Sequence, residues 1–223
     1  MVDVDAGVSD AASRRRTWML GGGLLTASAL LHLWATSVPG AGGFEFVPDL
    51  LFTAGLVVFA IGLGASGSVT ARRPLGTVAL IALAVWLPAA PLLQELIVPS
   101  NPMGDMVDGN AGAQLIGMVG ISTEVVSLGL ALIAVVQIGR IGVIPHAWRW
   151  APLWALAAVV AMRLLSVGLL MGPIEAVDQN ALVGILSLLG FLGVCAVGFL
   201  GVLAIVLAAR PVRGTTRVYS SGQ

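Results

Sequence analysis

Four ionisable side chains, His32, Glu95, Glu124 and Arg163, lie within long apolar stretches of the chain, and Gln94 sits beside one of them. A charged side chain at membrane depth costs about 2.5–3.5 kcal/mol on insertion scales, so it pairs, stays wet or faces a bundle interior. An acid, a base and an imidazole gathered there suit a proton-coupled or zwitterionic solute. Arg163 is the sharpest of the set, flanked by Met162, Leu164 and Leu165. Its guanidinium either snorkels outward along its aliphatic stem or pairs with Glu124 or Glu95. Glu124 lies near the middle of its stretch and needs a partner or a proton. An Arg163–carboxylate pair across the bundle interior is therefore expected, and it can serve structure as well as function.

Other chemistry is thin. His32 and His146 fall on opposite sides of the topology derived below, which excludes a bis-histidine haem. A metal site from His32, Glu95 and Met118 has no motif spacing behind it, so His32 is expected as a hydrogen-bonded core residue. No metal and no cofactor is expected. No H-E-x-x-H, phosphate loop, cysteine pair or activated nucleophile occurs, which argues against an enzyme. Cys195 lacks an internal disulfide partner and reads as a small core residue. Pro88 and Pro91, in WLPAAPLLQEL, each remove a backbone donor. They predict an interrupted, kinked third segment that places Gln94 and Glu95 at a cavity or merely bends the helix.

The elements holding these residues follow from composition. Hydrophobic residues are 58% of the chain and charged residues 10%, against about 25% charged in soluble domains. Six stretches reach the roughly 20 apolar residues that cross a bilayer core: 18–38, 47–69, 75–98, 111–138, 151–171 and 181–209. They are continuously apolar, whereas barrel strands alternate. The prediction is an all-α integral membrane protein with six transmembrane helices over 18–209. Residues 1–17 and 210–223 are expected as disordered cytoplasmic tails.

Orientation comes from arginine. There is no lysine, and ten of the arginines lie at the start, in alternate connections and at the end: Arg14, Arg15, Arg16, Arg72, Arg73, Arg140, Arg149, Arg210, Arg213 and Arg217. The other connections hold acidic residues such as Glu45, Asp105 and Asp178. Basic residues in short loops stay cytoplasmic, so both termini are expected in the cytoplasm. The Ala/Gly/Val and arginine-only usage suggests a GC-rich bacterial genome, hence a bacterial plasma membrane. SRRRTWML resembles a twin-arginine export signal, but its apolar stretch is too long and five more follow.

An internal repeat is legible. MGDMVDGNA at Met103–Ala111 resembles MGPIEAVDQNA at Met171–Ala181, and Gly120, Ala134 and Arg140 then match Gly190, Ala204 and Arg210 at constant offset. Before the loops, Trp86 aligns with Trp154 and Glu95 with Arg163. His32 stands at a comparable depth in the first pair, which suggests three helical hairpins in quasi-repeat. Small residues at four-residue spacing, Ala60, Gly64 and Ser68, and Ala113 with Gly117, are expected as internal packing seams.

Three functions follow. The first is a small transporter or permease-like protein with a polar site in the external half of the bundle, among His32, Gln94, Glu95, Glu124 and Arg163. The second is a non-catalytic membrane subunit or regulator assembling with a partner. The third is an intramembrane enzyme acting on a lipid or isoprenoid, which lacks the paired catalytic groups. The partners implied are the lipid bilayer and a small solute or membrane protein. Neutral net charge gives no reason to expect nucleic acid. A polar cavity lined by the five residues would mark a transporter or enzyme, and dry, paired groups a structural subunit.

Overall fold

The computed structural model describes residues 4–38, 46–63, 74–97, 109–141, 148–171 and 178–210. They form six helices and no strand: α1 (Val4–Ser37), α2 (Phe46–Ile61), α3 (Pro74–Ile97), α4 (Gly109–Ile141), α5 (Ala151–Met171) and α6 (Gln179–Ala209). All but α2 contain a stretch long and apolar enough to cross a membrane. The protein is a multi-pass helical bundle of membrane type.

Two elements depart from the sequence expectation. α1 begins at Val4, inside the polar segment expected as a disordered tail. Ala6, Ala11 and Ala12 favour helix there. α2 has only 16 residues, about 24 Å of helix, short of the roughly 30 Å core. It stops at Gly62, whose φ of 73° is left-handed, a conformation glycine adopts without a Cβ clash. Leu63 N–H then donates to Thr17 Oγ1 on α1 at 2.8 Å, and Thr17 is fully buried. The backbone donor just past the end of α2 is thus held by its neighbour. Gly64 and Ser68 lie outside the described residues.

The helices pack as a ring in chain order. α1 has its most extensive contact with α6, then α2; α2 meets α3, α3 meets α4 and α5 meets α6, while α4 and α5 close the ring with the slightest contact. The end holding Trp18, Ile61, Pro74, Arg140 and Ala209 is here the tail side, and the opposite end the far side. α1 and α2 run antiparallel: Phe59 covers Gly21, Leu25 covers Gly55 and Ser28 Oγ donates to Pro48 O at 2.8 Å. Trp18 meets Phe59 edge-on, with centroids 6.5 Å apart.

α1 and α6 meet backbone to backbone. A Cβ at Gly22 would lie 2.7 Å from Gly201 O, and one at Gly201 would lie 2.8 Å from Gly22 O. Small residues allow such approach where lipid offers no hydrophobic drive for helix association. This is the main packing seam. The expected seam at Gly117 is absent, because a Cβ there would meet nothing within 4 Å.

α3 continues as helix through Pro88 and Pro91, so the prolines do not break it into two. Each proline removes one hydrogen bond, and neighbouring helices can hold the turn together. Trp86 Nε1 ties α3 to α4, donating to Ser127 Oγ at 3.1 Å and Thr123 O at 3.4 Å.

Quasi-repeat is visible only in part. α4 and α6 open at Gly109 and Gln179, keeping the offset that relates Gly120 to Gly190, and both bury the matched Ala134 and Ala204. The other matched pair diverges. Trp86 is half-buried and hydrogen-bonded, whereas Trp154 is 74% exposed.

Candidate functional site

Burial is confined to one half of the later helices. On α4 the buried positions are Ala134, Ile138 and Gly139, on α5 Ala155, and on α6 Gly201, Leu203 and Ala204. All lie toward the tail side. Among the described side chains, the far-side halves of α4, α5 and α6 are only partly covered, so the ring opens there.

Inside the closed half is a cavity of about 270 Å³ lined almost entirely by apolar surface. All six helices contribute, among them Trp18 and Leu25 of α1, Phe52 and Phe59 of α2, Leu80 and Leu83 of α3, Ala131 and Ile138 of α4, Leu156 and Val159 of α5, and Leu200 of α6. None of the five polar residues singled out from the sequence lines it. This cavity is therefore not the polar one expected, because its lining is apolar. Space of this kind stays dry, since a buried water needs two to four polar partners.

The polar residues stand above it, on the same helix faces. Side chains three, four and seven residues apart share a face. His32 lies seven residues beyond Leu25, which lies seven beyond Trp18. Gln94 continues Leu80 and Leu83 by such steps. Glu124 precedes Ala131 and Ile138 by one and two heptads, and Arg163 follows Leu156 by seven and Val159 by four. Four helices thus place a polar side chain on the stripe that lines the cavity deeper in. Asp49, at the start of α2, continues the stripe of Phe52, Leu56 and Phe59. It was missed because it reads as a loop acid; the three-four spacing toward Phe52 and Leu56 was the available signal.

Two of these residues meet. Arg163 Nε lies 3.4 Å from Glu124 Oε1, linking α5 to α4 where the ring is weakest. The side chains are 68% and 46% exposed. The pair is therefore not enclosed in a bundle core, as expected from sequence, but stands in the opening. Among the described residues the Arg163 Nη groups make no hydrogen bond.

The others are not gathered around it. Glu95 is exposed, steps off the stripe of Gln94 and makes no ion pair among the described residues. Gln94 is half-buried. His32 is exposed, and its ring has no hydrogen bond among the described residues, contrary to the core position expected. Cys195, expected in the core, is exposed as well. His32 is exposed where the far-side halves are only partly covered, whereas Glu95 and Cys195 lie off the cavity-facing stripes, Cys195 in register with exposed Phe199 and Val202. Helix periodicity gives a face, but it does not reveal how closely neighbouring faces approach.

At the tail side the α4–α5 connection is better held. Arg149 Nε donates to Gly139 O, and its guanidinium lies 5.4 Å from the Trp150 ring centroid, a cation–π distance. Trp150 also packs on Gly139. The α4–α5 seam is thus clasped at one end and bridged by a single ion pair toward the other. No protein-family model, curated protein or solved structure matches the chain.

Proposed function

We propose that this chain is a small permease-like membrane protein whose polar site lies in the far half of the bundle. Arg163 and Glu124 form its centre, with His32 and Gln94 on neighbouring stripes and Glu95 at its margin. The observation that carries the reading is the ion pair itself. It is an exposed pair of charges at membrane depth, set across the weakest contact of the helix ring and above an apolar cavity. In an opening it is available to exchange partners with a solute.

Alternating access is the test. Glu124 stands in the opening, and Cys195 would first be replaced by alanine. In sided proteoliposomes, Glu124→Cys reacts with a membrane-impermeant thiol reagent added to either face. A cysteine that reacts from one face only, or from neither, sinks the permease reading.

The membrane is proposed to be a bacterial plasma membrane with both termini in the cytoplasm, so the far side is external. In intact cells, cysteines replacing Ser100 and Gln179 label from outside and one replacing Ser220 does not. Labelling of the Ser220 variant alone reverses the orientation.

A second reading is a non-catalytic subunit or regulator. It is favoured by Gly117, Gly120, Gly168, Gly184 and Gly190, where an added Cβ would meet open space. Such surfaces suit a partner helix. An intramembrane enzyme acting on a lipid or isoprenoid is favoured only by the apolar cavity, without a nucleophile and base beside it.

A further inference from the structure

We infer that the site takes an amphiphile: one hydrocarbon chain in the apolar cavity and an oxyanion headgroup on Arg163. This deepens the permease reading by naming the solute class, and it rests on the same site. Two observations meet in it.

The first is the cavity. At about 270 Å³ it exceeds the roughly 150 Å³ apolar cavity that stays dry yet binds benzene. Its walls offer a solute aliphatic and aromatic surface and almost nothing polar. A small polar solute would lose its hydration there and gain no hydrogen bonds. A hydrocarbon chain would keep its dispersion contacts and fill the void.

The second is the guanidinium one helical turn above Val159, about 6 Å along α5. Arginine carries five N–H donors in a planar fork that matches carboxylate and phosphate. Glu124 engages Nε, leaving the Nη donors for a second oxyanion. Head and tail sites are thus adjacent on one helix stripe. The slight α4–α5 contact is the side through which a chain enters from the bilayer without its head crossing the hydrocarbon core. From Ile138 to Glu124 the stripe of α4 spans about 21 Å, which suits a long alkyl chain.

Trp18 lines the cavity at its tail-side end and supplies the readout. The full chain, with Trp34, Trp86, Trp148, Trp150 and Trp154 replaced by phenylalanine, is placed in phosphatidylcholine nanodiscs. Hexadecyl phosphate brominated toward its chain end is titrated while Trp18 fluorescence is followed. Saturable quenching is expected, with none from inorganic phosphate and at least about tenfold weaker binding of the matching trimethylammonium amphiphile. Arg163→Gln weakens binding of the alkyl phosphate about ten- to a hundredfold, the range of a charge-assisted hydrogen bond. Glu124→Gln frees Arg163 and tightens binding. Val159→Phe fills the cavity and abolishes quenching while helicity by circular dichroism is unchanged. Non-saturable quenching, equal affinity for the ammonium amphiphile, or equal losses in Arg163→Gln and Glu124→Gln would overturn the proposal. The permease reading fails separately: alkyl phosphate binding with Glu124→Cys reactive from one face only leaves a lipid-binding protein. Two-sided reactivity without alkyl phosphate binding leaves a permease for another solute.

Discussion

Arg163→Ala destabilises the purified protein by about 2 kcal/mol, and adding Glu124→Gln returns about half of that loss. Removing the arginine leaves Glu124 charged at membrane depth with no ion-pair partner among the described residues. The insertion cost of such a group is about 2.5–3.5 kcal/mol. Exposure of both side chains in the opening lowers it, because a wet pair is screened. Neutralising Glu124 removes the stranded charge, so the double variant is less damaged than the sum of the singles. A coupling of about 1 kcal/mol is expected, within the range of polar pairs measured in membrane bundles. Reversible unfolding in mixed detergent micelles, read as a double-mutant cycle, provides the check. Glu95→Gln serves as the control and adds independently, since Glu95 makes no ion pair among the described residues. Additivity of Arg163→Ala with Glu124→Gln would show that the contact carries no energy.

A larger loss is expected from a single methyl group at the α1–α6 crossing. Gly201→Ala and Gly22→Ala each cost about 2–3 kcal/mol, the upper part of the range for overpacking. At Gly201 the new Cβ would stand 2.5 Å from Thr26 Oγ1 and 2.8 Å from both Gly22 O and Thr26 N. Two of those atoms are backbone, so no rotamer change relieves the clash and the helices must separate. Thr26 is also committed, donating its hydroxyl to Gly22 O at 2.8 Å. Gly23→Ala and Gly190→Ala have open space and stabilise by about 0.5–1 kcal/mol through helix propensity. The same unfolding assay distinguishes the four variants. Equal effects would mean that glycine acts here through helix propensity and not through close approach.

These two sites differ in how far they were legible. Arg163 announced itself, because a guanidinium among Met162, Leu164 and Leu165 is costly without a partner. The choice of Glu124 over Glu95 was not legible, since it depends on which helices are neighbours and on the face each presents. The Gly22–Gly201 crossing was missed in favour of Ala60/Gly64/Ser68 and Ala113/Gly117. The glycine run Gly21–Gly23 and the Gly198/Gly201 pair were available as signals. Twenty-nine glycines in one chain make spacing alone a poor guide to which of them touch.

The sequence by itself determined what solvent these helices need. Long apolar runs with unsatisfied backbone groups leave helix as the only structure that closes its own hydrogen bonds in lipid. It also determined that a few ionisable groups would sit at depth, because hydrophobicity is additive along the chain. Tertiary structure decided the rest. Where the ring closes, an apolar cavity forms with no polar residue among those expected there. Where it splays, Arg163 and Glu124 meet in the open. Both outcomes depend on how closely separate helices approach, and that is set by side-chain volumes meeting across the bundle, which no periodicity within a single segment records.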